Sequence, residues 1–187
     1  MLSPKDFIAR WGNDGARLIR FPELCVQRLT LSEGDKGFLL EAGLPEDAAP
    51  FLTFEGPKSG ELPTVAEKWG LAKEFARYRM IGFDGSGNPI ALDDAHHGEV
   101  VFLDHENRFA RVLMNTSIRQ LAASLLAYRK LIQETEMESG QDAFLDGKIS
   151  LAAREELRQT LAANDPAAMQ PGCFWHGELQ NLNANAG

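Results

Sequence analysis

The residues best placed to do chemistry lie in two runs one hairpin apart, Asp93-Asp94-Ala95-His96-His97 and Asp104-His105-Glu106. Carboxylate and imidazole groups on neighbouring turns can converge on a divalent metal, which would make His96, His97 and Asp104 the ligands of a metal-dependent hydrolase. The spacing argues against that chemistry. HExxH is absent, adjacent histidines in an extended or turn segment point in different directions, and Asp, Asn and Gly in turns have a conformational purpose of their own. Solvated turns are therefore expected here, with no metal and no cofactor. Gly85-Ser86-Gly87 is read in the same way, because a phosphate-cradling loop leads into a helix and Pro89-Ile90 starts a strand instead. Cys25 and Cys173 lack CxxC spacing, and no GxSxG elbow occurs, so no catalytic residue is assigned and the chain is read as a non-enzyme.

The same acids have a second use. Asp84, Asp93, Asp94, Asp104 and Glu106 fall at the turns of one β-rich region, where like charge can steer a basic partner into contact. Trp69 joins them as a contact residue, since interfaces are enriched in aromatics and it lies in a segment, residues 57–70, without helical or strand periodicity. Trp11 and Trp175 are expected in the core.

Those turns need a sheet to hold them. Strands are expected over 78–83, 89–92, 99–103 and 109–114, with turns at 84–88, 93–98 and 104–108 short enough for antiparallel neighbours to pair. Another strand is expected at 51–54, and extended pieces at 18–21 and 25–29 around Pro22. Helices surround them: Ser3 caps one that carries Phe7, Ile8 and Trp11 and ends at Gly12, and Ser32 caps a second that carries Phe38, Leu39 and Ala42 and stops at Gly43-Leu44-Pro45. Ser117 and Gln120 open a third through a capping-box pattern, with Ile118, Leu121, Ala122, Leu125 and Leu131 along it. A polar, acidic stretch over 133–147 precedes a fourth, capped by Ser150 with Leu151, Leu157 and Leu161 on its apolar face. Phe174-Trp175 closes the packed part, and a tail over 183–187 is expected to fray.

With 187 residues, 44% of them hydrophobic, the chain can bury one continuous core, so a single α+β domain over residues 1–187 is expected. A formal net charge of -8 disfavours direct contact with nucleic acid, whose phosphates need a basic surface. No segment reaches the roughly 18 apolar residues of a membrane span, and no signal segment opens the chain. A cytoplasmic protein that contacts neither membrane nor nucleic acid is expected.

Read in order, several phrases carry a family resemblance: Gly43-Leu44-Pro45 leading to Phe51-Leu52-Thr53-Phe54, then Tyr78-Arg79-Met80-Ile81-Gly82-Phe83-Asp84, then Pro89-Ile90-Ala91-Leu92-Asp93 followed by Gly98-Glu99-Val100-Val101. The sharpest is Val112 to Leu121, in which a strand enters a capped helix through Asn115-Thr116-Ser117, and Phe174-Trp175 supplies the closing aromatics. Over most of its length the chain resembles the SUKH superfamily of bacterial immunity proteins, and in particular its fourth family. The resemblance implies helices packed on a central, mainly antiparallel sheet. It also implies the work of binding and neutralising a protein toxin, often a nuclease or deaminase, with a basic toxin matching the acidic charge. A regulatory or scaffolding module that binds a housekeeping protein is the alternative.

Overall fold

A computed structural model describes residues 2–12, 16–57 and 60–184. Helix α1 (Pro4–Trp11) starts as expected: the Ser3 side chain accepts from the Asp6 N–H, Pro4 takes the first turn, and Phe7 and Trp11 are buried. Strand β1 (Leu18–Ile19) follows. Residues 25–29 are not extended. Pro22 leads into a helical turn, α2 (Glu23–Val26), because its carbonyl accepts from the Cys25 and Val26 N–H groups at 2.9 and 3.0 Å. Cys25, Val26 and Leu29, all buried, share the i, i+1, i+4 spacing of a helix face and not the alternation of a strand.

Helix α3 (Glu33–Glu41) is capped by Ser32. The chain then leaves it at Gly43, φ 75°, where a Cβ would lie 2.0 Å from the Ile19 carbonyl oxygen. Only glycine allows both that left-handed turn and the close pairing of β1 with β2 (Leu44–Pro45).

The central sheet has six strands in sequence order, each antiparallel to the next: β3 (Asp47–Ala48), β4 (Leu52–Phe54), β5 (Tyr78–Asp84), β6 (Pro89–Asp93), β7 (Glu99–Asp104) and β8 (Ala110–Asn115). The expected four-stranded meander forms its larger part, and β3 and β4 extend it at one edge. A two-stranded sheet, β1 with β2, lies beside it in the order.

The two faces of the sheet are covered unequally. Ile81, Ile90, Leu92, Val100 and Met114 look into the main core. That core is closed by α1, α3, α5 (Ile118–Ser139), α6 (Leu151–Asn164) and α7 (Phe174–Ala184) through residues such as Phe7, Phe38, Leu121, Leu161 and Trp175. On the opposite face Tyr78, Met80, Ala91, Val101 and Leu103 form a smaller cluster under Val65, with Phe75 and Phe109 packed on its rim. Helices packed on an antiparallel sheet make an α+β fold, as expected.

Four further expectations are corrected. The stretch 57–70 is not all loop: Thr64 and Glu67 form a reciprocal capping box that opens α4 (Val65–Trp69), and Gly70 at φ 64° ends it. Residues 133–139 are the last turns of α5, which runs 22 residues to Gly140. They carry little apolar periodicity because this end of the helix leaves the core, while Glu, Gln and Met favour helix without it. Leu151, expected on the buried face of α6, is 74% exposed, whereas Leu157 and Leu161 are buried. Asn183 and Ala184, expected in a fraying tail, lie within α7, where Arg154 donates to the Leu182 carbonyl and the Asn183 side chain; residues 185–187 lie outside the described residues.

The Asn-Thr-Ser step after β8 is the polar centre of the molecule. Buried Asn115 accepts from the indole N–H of Trp175 at 2.8 Å and donates to Ser124 at 3.2 Å and Asp165 at 3.1 Å. The Thr116 N–H donates to Asp165 at 2.7 Å, and Ser117 caps α5. One strand end thus ties together α5, α7 and the segment after α6, with each buried polar group partnered.

Candidate functional site

The acids expected to face a partner sit at the meander turns, and most of them are spent in building those turns. Between β5 and β6, the Asp84 carboxylate accepts from the backbone N–H groups of Ser86 and Asn88 at 3.0 and 2.8 Å and from the Asn88 amide at 2.9 Å. This is the local side-chain turn that Asp favours ahead of Gly. Asn88 in turn accepts from the His105 N–H at 2.9 Å, which locks this turn to the one after β7. There Asp104 accepts from the N–H groups of Glu106 and Asn107 at 3.1 and 3.2 Å.

Asp93 is the clearest departure from expectation. It is fully buried, with one oxygen accepting from the Ala95 N–H at 3.1 Å and facing Arg77 at 3.4 Å. The other oxygen meets His96 Nδ1 at 2.8 Å and Arg111 Nε at 3.0 Å. Arg111 also bridges to Glu99. Asp93 therefore lies beneath the surface as the shared anion of a cationic cluster and is not available to a partner. Asp94 is largely covered and pairs with Arg79 at 2.9 Å. Among the five acids, Glu106 alone is exposed with a carboxylate that has no partner among the described residues.

The imidazoles do not converge. His96 is turned to Asp93, His105 Nδ1 lies 2.5 Å from Asn88 Oδ1, and His97 occupies a left-handed turn position at φ 54°. Among the described residues no group of three or more His, Cys, Asp and Glu side chains is placed to hold a metal ion. Burial pushes the thiols of Cys25 and Cys173 up from their ordinary pKa, away from the thiolate form that nucleophilic chemistry needs.

Trp69 ends α4 at 40% exposure, its indole stacked on His105 at 5.8 Å and set edge-on to Phe109 at 5.3 Å. It is a fixed aromatic platform beside the turn that carries Glu106. Next to it α4 and β5 enclose an open groove of about 400 Å³, floored by Leu62 and Met80 and walled by Glu55, Glu61, Glu67 and Lys68. Two of those acids are already engaged. Glu61 pairs with Arg28, and Glu67 accepts from the Thr64 N–H and hydroxyl, which holds its carboxyl below the usual range. The groove is large enough to receive a side chain.

A different exposed surface went unseen in the sequence. Met137, Leu145 and Leu151 are 78%, 76% and 74% exposed, at the end of α5, in the connection after it and at the start of α6. Leu157 and Leu161 are one turn apart on one face of α6, but the six-residue step from Leu151 to Leu157 sets Leu151 about 120° away from them, and that step was the sign of a break in the stripe.

A family model described as SUKH-4 immunity protein matches residues 4–181. No curated protein and no solved structure matches the chain.

Proposed function

Because the chain belongs to the SUKH-4 immunity protein family, we propose that it is a non-catalytic, cytoplasmic binding protein that neutralises a protein toxin of the nuclease or deaminase type. The observation that carries this reading is the family match, which takes in every helix and strand except the last residues of α7. The chemistry of the fold is compatible with it. Occluding a toxin requires a preformed complementary surface and no reacting group, and the turns, the aromatic platform and the buried Asn115 network are rigid devices of that kind. A net charge of -8 suits a basic toxin, such as one that grips nucleic acid phosphates. No helix among the described residues is long and apolar enough to cross a membrane.

Of the residues expected to touch the partner, Trp69 and Glu106 reach solvent, whereas Asp93 is fully buried. Asp84, Asp94 and Asp104 contribute by holding the turns in shape and adding to their negative potential. The test is a titration of the purified product of any toxin-like open reading frame beside this gene with the purified protein. Loss of toxin activity at one-to-one stoichiometry is the expected result; full toxin activity at a tenfold excess of folded protein would overturn the reading.

A further inference from the structure

Three large apolar side chains at the α5–α6 end, Met137, Leu145 and Leu151, stand exposed and need an explanation. The connection is pinned from inside: Ala143 and Ile149 are buried, Phe144 sets its ring against Tyr128 at 6.0 Å, and the Lys148 N–H returns to the Ala143 carbonyl at 2.9 Å. With those residues turned inward, Leu145 is turned outward. Lys130 meets Glu156 at 2.6 Å and the Asn164 amide meets the Gln120 carbonyl at 2.8 Å, so α5 and α6 run antiparallel and Met137 on α5 and Leu151 on α6 come to the same end as Leu145.

The charge around them is mainly acidic, with Lys148 as the neighbouring cation. Residues 133–147 contain Glu134, Glu136, Glu138, Asp142 and Asp146 and no lysine or arginine. Glu134 reaches Lys130, and Lys148 bonds Asp146 and also lies in the field of Asp142, while the Glu136 and Glu138 carboxylates have no partner among the described residues. At the meander turns the acids other than Glu106 are engaged by backbone N–H groups and arginines. Fixed apolar side chains within an acidic rim match the make-up of a protein interface, in which apolar anchors exclude water and surrounding charge selects the partner.

We infer that the α5–α6 end, which carries Met137, Leu145 and Leu151 together with Glu136, Glu138 and Asp142, is the principal docking surface for a basic face of the toxin. The inference rests on the immunity reading and adds the place and chemistry of contact. A basic protein surface is the one occupant that meets both the apolar anchors and the unpaired carboxylates.

The experiment measures binding of the adjacent gene's toxin, in a catalytically inactive form, to the full chain and to three variants. Leu145→Ser/Leu151→Ser removes apolar area that is already exposed, Glu138→Lys/Asp142→Lys reverses the rim, and Glu106→Lys reverses the meander turn. Thermal melting checks that each is folded. The expected result is a Kd raised at least tenfold by each of the first two and less than threefold by Glu106→Lys. Unchanged affinity in a folded serine or rim variant, or a larger loss from Glu106→Lys, would overturn the assignment of this surface and leave the immunity reading standing. Absence of binding by the unaltered chain would overturn both.

Discussion

At the scale of single residues, Asp93 shows how a charged side chain can be decisive without being a contact. Its carboxylate is fully buried among Arg77, Arg111 and His96. Removing it leaves the partly covered Arg77 guanidinium without its anion and Arg111 with Glu99 alone. Asp93→Ala is expected to cost about 2–4 kcal/mol in urea unfolding, at or below the range for a buried pair because both arginines still touch water. Asp94→Ala breaks a more exposed pair and should cost about 1 kcal/mol or less. Glu178 on α7 supplies a pH test. Burial raises its pKa, the Asn181 amide partly opposes this, and Asp84 adds to the rise. Its folded pKa therefore lies above its unfolded one. The stability it contributes is complete below the unfolded value and is lost as pH rises through the folded value. Glu178→Gln should accordingly raise Tm at neutral pH and leave it nearly unchanged near pH 3.5; the reverse order would contradict the assignment. None of this was legible in the acids themselves. Asp93-Asp94 reads as an exposed acidic pair, and the arginines that bury the first of them lie 16 positions before and 18 after it.

Elements were legible where caps and turns are local. Ser3, Ser32, Ser117 and Ser150 each cap the helix that begins after them, and the four meander strands lie within a residue or two of their expected bounds. Their signals sit within four residues of the backbone groups they satisfy. The misses have equally local causes. Thr64 and Glu67 carried the capping signature of α4 but were outweighed by the surrounding Gly and Pro, and the end of α5 lost its apolar stripe on leaving the core. Partnerships over long distance left no sequence signal: Asn115 could be seen to end a strand, but not to bond Asp165 and Trp175 further along the chain. Asn115→Ala is expected to cost about 2–4 kcal/mol, because it strands a buried indole N–H and part of a buried carboxylate. Gly43→Ala should cost more than about 1 kcal/mol, through both the positive φ and the clash with the Ile19 carbonyl. Denaturant midpoints of the two variants check both values. A Gly43→Ala protein as stable as the unaltered chain would contradict the close β1–β2 approach.

For the whole molecule, the sheet divides the labour. One face is sealed by five helices into the main core, and the other is only partly closed by α4 and its aromatics. Charge is divided too: the turns engage their acids apart from Glu106, while the α5–α6 end leaves Glu136 and Glu138 unpaired among the described residues. An acidic protein meeting a basic toxin is expected to associate faster at low ionic strength, with the association rate falling about tenfold between 50 and 500 mM salt and dissociation changing less. A salt-independent rate in stopped-flow measurements would separate affinity from charge and leave the apolar anchors as its source.

The most direct measurement of toxin neutralisation is survival of cells in which the toxin-like open reading frame beside this gene is induced with and without this chain. Growth restored by the unaltered protein, and lost again when Leu145→Ser/Leu151→Ser is present as a folded, equally abundant protein, is the expected result. Cell death in the presence of abundant, folded, unaltered protein would contradict the claim that this chain confers immunity to that toxin.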